Sequence, residues 1–138
     1  MKKRIFMESI KRILLCYPLS LVTLAAISYL TLFKAQGVVG VELFPHFDKL
    51  AHFLMYMFFC TVLWYEYYRT HIRTNHKKVF WGAIISPIIF SGVMEILQSL
   101  FTKYRTGDIW DFLFNTLGVV SAAFFAVYVM KPVMRRYV

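Results

Sequence analysis

Three short segments place ionisable side chains where the surrounding chain is apolar. In DKLAHFLMY, residues 48–56, Asp48, His52 and Tyr56 recur every four residues. That spacing puts them on one face of a helix, drifting by roughly 40° per step. In EILQSLF, residues 95–101, Glu95 and Gln98 are three apart, again one face. In RTGDIWDFLFNTLG, residues 105–118, Asp108, Asp111, Asn115 and Gly118 follow in steps of three, four and three, with Arg105 just outside the stripe. Three chemistries suit these residue types. His52, with Asp48 one turn away, has the spacing of an oriented general base, and Glu95 is a second candidate base. Asp48, His52, Glu95, Asp108 and Asp111 are ligand types for a hard or borderline divalent metal, although no HExxH or zinc spacing is present. Arg105, with Lys49 and Lys103, is suited to a phosphate or carboxylate. The plainer alternative is a set of ion pairs and hydrogen bonds that join helices.

The elements that must position these residues are apolar and long. Of the 138 residues 59% are hydrophobic and 19% aromatic, more than one soluble core of this size can bury. Four runs have helix length and span length: Ile13–Phe33, Leu50–Tyr68, Val79–Phe101 and Ile109–Met130. The first, of 21 residues, covers a hydrocarbon core of ~30 Å at 1.5 Å per residue. It exceeds the apolar core of a secretory signal and reads as a retained anchor. None of the runs shows the alternation of a membrane barrel strand. The expected fold is therefore all-α: an integral membrane bundle of four transmembrane helices forming one domain.

Charge orients it. The net charge is +9, and the basic residues fall in short clusters between apolar runs, a pattern for anionic headgroups and not for nucleic acid. Twelve of the 16 Lys and Arg lie in the amino-terminal arm, the second connection and the carboxy-terminal tail; Lys34, Lys49, Lys103 and Arg105 lie on the other side. The positive-inside rule puts both termini in the cytoplasm and the polar stripes outward. Trp64, Tyr65, Tyr67, Tyr68 and Trp81 would mark the inner interface, Tyr104 and Trp110 the outer one. Pro18 and Pro87 fall within spans and can kink them. The connection Lys34–Phe47 is apolar for a loop and is expected to lie along the outer surface or partly re-enter. Cys16 and Cys60 sit in apolar runs and read as free thiols. Ser86, Ser91 and Ser99 lack an acyl-transfer context, and Gly118, Ser121, Ala122 and Ala123 form a small-residue packing face.

With orientation assigned, the polar stripes of the second, third and fourth runs converge at one depth. A carboxylate such as Glu95 inside a span is costly and must face a partner or a wet cavity. The inner halves of the runs look less polar, so a continuous ion or proton pathway is the weaker reading.

The blocks DKLAHFLMY, MEILQSLF and RTGDIWDFLFNTLG together resemble the VanZ-like membrane proteins, whose pattern is DKxxH, ExxQ and RxxDxxDxxxNxxG in that order. The resemblance covers about Asp48 to Ala123. It points to Asp48, Lys49, His52, Glu95, Gln98, Arg105, Asp108, Asp111, Asn115 and Gly118. A second glycine expected about four residues after Gly118 is Ala122 here. The family's namesake is associated with low-level resistance to the glycopeptide teicoplanin at the bacterial cell surface. The resemblance thus implies a multi-pass protein of the bacterial cytoplasmic membrane, with membrane lipids and a lipid-linked envelope precursor as expected partners. On that expectation His52, Glu95, Asp48 and Asp111 are the candidate catalytic groups. Lys49, Gln98, Arg105, Asp108 and Asn115 are the candidate binding groups. A non-catalytic binding or accessory role is the alternative.

Overall fold

The computed structural model describes residues 2–34, 46–71, 73–101 and 108–136. Most of the apolar connection after Lys34 lies outside them, as do Lys103 and Arg105. The described residues are almost wholly helical, in five stretches. Helix α1 is Lys2–Cys16; α2 is Pro18–Tyr29, continued by a π-helical turn Leu30–Lys34. Helix α3 is Phe47–Thr70, α4 is His76–Phe101 and α5 is Ile109–Arg136.

The expected first span is divided. Ile13 to Cys16 belong to α1, and α2 starts afresh at Pro18 after a bend of 86°. Tyr17 leaves the helical region at φ −129°, ψ 43°, because the proline ring disfavours the α conformation of the residue before it. Pro18 is therefore the first residue of a helix, where its missing N–H costs nothing, and not a kink inside one. In α1, Phe6, Met7, Ile10, Ile13 and Leu14 fall at helical spacing on one side and Glu8, Lys11 and Arg12 on the other. The apolar side is exposed along its length.

Helices α4 and α5 are long and apolar enough to cross a membrane, and the bent pair α1–α2 counts as a third candidate when taken as one span. Helix α3 has the length but carries Asp48, Lys49, His52, Glu66 and Arg69. It buries residues from His52 to Tyr67, between α2 on one side and α5 on the other. Large apolar side chains such as Phe58, Ile89, Ile96, Leu100, Leu117 and Phe124 point away from the bundle, as a lipid-facing surface requires.

Two packed clusters hold the helices together. Ile27, Tyr56, Phe59, Cys60, Val119 and Ala122 form the middle. Trp64, Tyr67, Val79, Ala83 and Ala126 form the end nearest the basic connection. Gly118, Ala122 and Ala126 recur every four residues on α5, and all are buried. A Cβ on Gly118 would stand 2.5 Å from the Phe53 carbonyl oxygen, so the α3 and α5 backbones touch there through glycine alone. Ala122 is fully buried in the same stripe, and the second glycine is not needed for the packing. Helices α4 and α5 each contain a π-helical stretch, Phe80–Ile85 and Ala126–Met130. In α4 that stretch is followed by buried Pro87, which has no N–H to give to the preceding turn.

A polar cluster centred on His52

The three stripes meet. Helix α3 contributes Asp48 and His52, α4 contributes Glu95, and α5 contributes Asp111 and Asn115. His52 is 3% exposed and occupies the centre. Its Nδ1 lies 3.1 Å from Asn115 Oδ1 and 3.8 Å from Glu95 Oε1. Its Nε2 lies 3.9 Å from Asp48 Oδ1 and 3.8 Å from Asp111 Oδ2. Asn115 Nδ2 in turn donates to Glu95 Oε1 at 3.2 Å.

The orientation of Asn115 sets the hydrogen-bond roles on one side of the ring. A carboxylate only accepts, so Glu95 takes the amide N–H of Asn115 and turns the amide oxygen toward His52. An amide oxygen also only accepts, so Nδ1 must carry a proton. The other nitrogen, Nε2, faces the carboxylates of Asp48 and Asp111. One nitrogen is thus anchored in the bundle and the other is offered to two carboxylates. That arrangement supports a proton acceptor. It also supports a metal ligand, since a metal-binding imidazole commonly gives its second N–H to a carbonyl or carboxylate. One ligand atom each from Asp48, His52 and Asp111 lie within 4.8 Å of one another.

Burial is graded along the cluster. The side chains of His52 and Asp111 are each 3% exposed, Glu95 is 10%, and Asp48 reaches 35%. Asp48 is thus the most exposed member of the cluster, and a cavity of about 360 Å³ between α4 and α5 reaches Glu95 and Asp108. Lys49 and Asp108 form the rim there, joined by an ion pair of 3.4 Å that ties the start of α3 to the start of α5. Asp108 has a second duty. It is the N-cap of α5, and its Oδ1 accepts from the Trp110 amide at 3.0 Å. Asp111, in the first turn of the same helix, is also favoured there by the helix dipole.

Of the residues singled out in the sequence, Asp48, His52, Glu95, Asp111 and Asn115 come together, with Lys49 and Asp108 at the rim. Gln98 is fully buried, but its Nε2 donates to the Thr31 carbonyl at 3.2 Å and joins α4 to the turn that ends α2. Arg105 lies outside the described residues. Ser91 and Gly118 are packing positions, and Cys16 and Cys60 are free thiols.

Sequence reading missed one buried charge, Glu66, at the opposite end of the bundle. It is 0% exposed. Its Oε1 accepts from the Leu19 amide at 2.9 Å, and its Oε2 from the Ser20 amide at 2.9 Å and the Ser20 hydroxyl at 2.6 Å. These amides are among the orphan donors that open α2, whose own N-cap residue, Tyr17, offers no side-chain acceptor. Glu66 therefore caps a neighbouring helix from the side. A signal existed: a proline-started helix without a local cap residue, and one lone carboxylate in the run from Thr61 to Tyr68.

A helical bundle with span-length apolar helices and a buried polar cluster at one end defines the class as a small membrane protein. Within that class the chain belongs to the VanZ/LLP1 family, whose pattern matches residues 4–131. No curated protein and no solved structure matches the chain.

Proposed function

We propose that the protein is a four-span protein of the bacterial cytoplasmic membrane whose His52 cluster, at the outer end, receives the polar headgroup of a lipid or lipid-linked envelope precursor and acts on it by proton transfer. The position of His52, between the Asn115–Glu95 pair on one side and the Asp48 and Asp111 carboxylates on the other, supports this reading. His52 is the proton acceptor, Asp48 and Asp111 hold the proton it gains, and Asn115 with Glu95 fixes the ring. Lys49 and Arg105 are placed in sequence to meet an anionic group, Lys49 after release from Asp108. The family's association with teicoplanin makes glycopeptide tolerance a phenotype to read alongside.

The test expresses the wild type and the variants His52→Gln, Glu95→Gln and Asp111→Asn at matched membrane levels. Extracted lipids and envelope precursors are then compared by mass spectrometry, and growth in teicoplanin is scored in parallel. The expected outcome is a change in one lipid class with the wild type that falls by at least about 100-fold in His52→Gln, the scale of a lost general base. Variants that insert normally and give the wild-type lipid profile would overturn the catalytic role. Retained binding of the affected lipid without turnover in the wild type would establish the binding role instead.

A second reading rests on the Asp48–His52–Asp111 geometry, which suits a divalent cation. On that reading, purified protein dialysed against manganese or zinc retains about one ion per chain, a three-ligand site with open positions. Asp111→Asn lowers that occupancy. Metal content at background in the wild type removes this reading and leaves the proton-transfer one standing.

A further inference from the structure

At the other end of the molecule a cavity of about 480 Å³ opens between α2, α3 and the first half of α4. Its volume falls in the ordinary range for a small-molecule site. Its walls are graded. Leu24, Phe59 and Phe90 line the part near mid-bundle, and Tyr17, Tyr67, His71 and Lys78 line the part near the basic connection. Lys78 and Phe90, at its two ends, are twelve residues apart on one helix, roughly 18 Å of rise at 1.5 Å per residue. The cavity is therefore elongated along the bundle, apolar at one end and cationic at the other.

Three observations say what fills it. First, the lining includes Lys78 and His71 but no carboxylate among the described residues. Glu66, the nearest acid in sequence to Tyr67, is buried and committed to the start of α2. Second, Lys78 belongs to the basic group Arg69, Arg73, Lys77 and Lys78, so the mouth lies where anionic headgroups concentrate. Third, a Cβ on Gly82, which lines the wall, would meet nothing within 4 Å. The absent side chain leaves open space for another molecule.

We infer that this cavity is a binding site for an anionic phospholipid of the bilayer, with one acyl chain along Gly82 toward Phe90 and the phosphate at Lys78. The site is separate from the His52 cluster and does not depend on the function proposed for it. Phospholipid there fills the space between α2 and α4, which at this level do not close on each other.

The experiment uses the full chain in detergent, titrated with phosphatidylglycerol or with phosphatidylcholine of the same acyl chains, and read by native mass spectrometry and thermal unfolding. The wild type is expected to bind one phosphatidylglycerol about fivefold more tightly than phosphatidylcholine, the scale of one lysine at a membrane surface. Lys78→Gln brings the ratio toward one. Gly82→Phe, which fills the space, removes the bound lipid and the lipid-dependent rise in Tm. Gly82→Ala, which leaves most of the space, keeps both. Equal binding of the two lipids in the wild type would overturn the anionic specificity. Lipid binding unchanged in a folded Gly82→Phe would overturn the location, and if Gly82→Phe does not fold, a photoreactive acyl chain that labels no peptide containing residues 78–90 does so equally. A lipid-free dimer cross-linked through Gly82→Cys would assign the cavity to a second copy and reject the proposal.

Discussion

Asn115 is the residue on which the cluster turns, although an amide carries no charge to draw attention. Its amide oxygen faces His52 and its amide nitrogen donates to Glu95, so it links a ring on α3 to a carboxylate on α4. Removing it leaves two buried polar groups short of a partner at once. Asn115→Ala is expected to lower stability by about 1–3 kcal/mol through that loss. Thermal unfolding in detergent checks it, and Glu95→Gln, which keeps the shape, should cost less. The residues of this network were legible in sequence because helical period is local: steps of three and four show which side chains share a face. The partners across helices were not. Nothing in the spacing of Gln98 directs it to the Thr31 carbonyl instead of His52, or pairs Lys49 with Asp108.

At the scale of the element, the helix starts carry much of the information. Helix α5 opens with a local cap, Asp108, readable from the sequence as an aspartate just ahead of an apolar run. Helix α2 opens with a proline and borrows its cap from α3. Glu66→Ala is expected to release two backbone donors and one hydroxyl and to destabilise the packing of α2 by about 1–3 kcal/mol. Glu66→Gln should recover part of this. Unfolding monitored by a probe near Tyr17 distinguishes loss of α2 docking from global melting. Pro18 was legible as a kink within one span, but the division of that span by an 86° turn was not, because the cap that restarts the helix comes from Glu66 on α3.

For the whole molecule, the all-helical architecture follows from composition, and the convergence of the stripes from their common depth. Orientation is an expectation that rests on charge alone. Twelve basic residues on one side against four predict that Asn75, in the second connection, faces the cytoplasm. In a background with Cys16 and Cys60 replaced by serine, Asn75→Cys should resist an impermeant maleimide on intact cells and react after permeabilisation. Labelling from outside would reverse the orientation while leaving the cluster intact.

The close approach at Gly118 divides the polar cluster mechanically. Helices α3 and α5 meet backbone to backbone there, and a pair in that register cannot slide or spread without breaking the contact. His52, Asp48, Asp111 and Asn115 all ride on that fixed jaw. Glu95 rides on α4, whose hydrogen-bond ladder is interrupted below it by a π-helical stretch and a proline. Of the five residues of the cluster, Glu95 alone sits on a helix that the Gly118 contact does not hold.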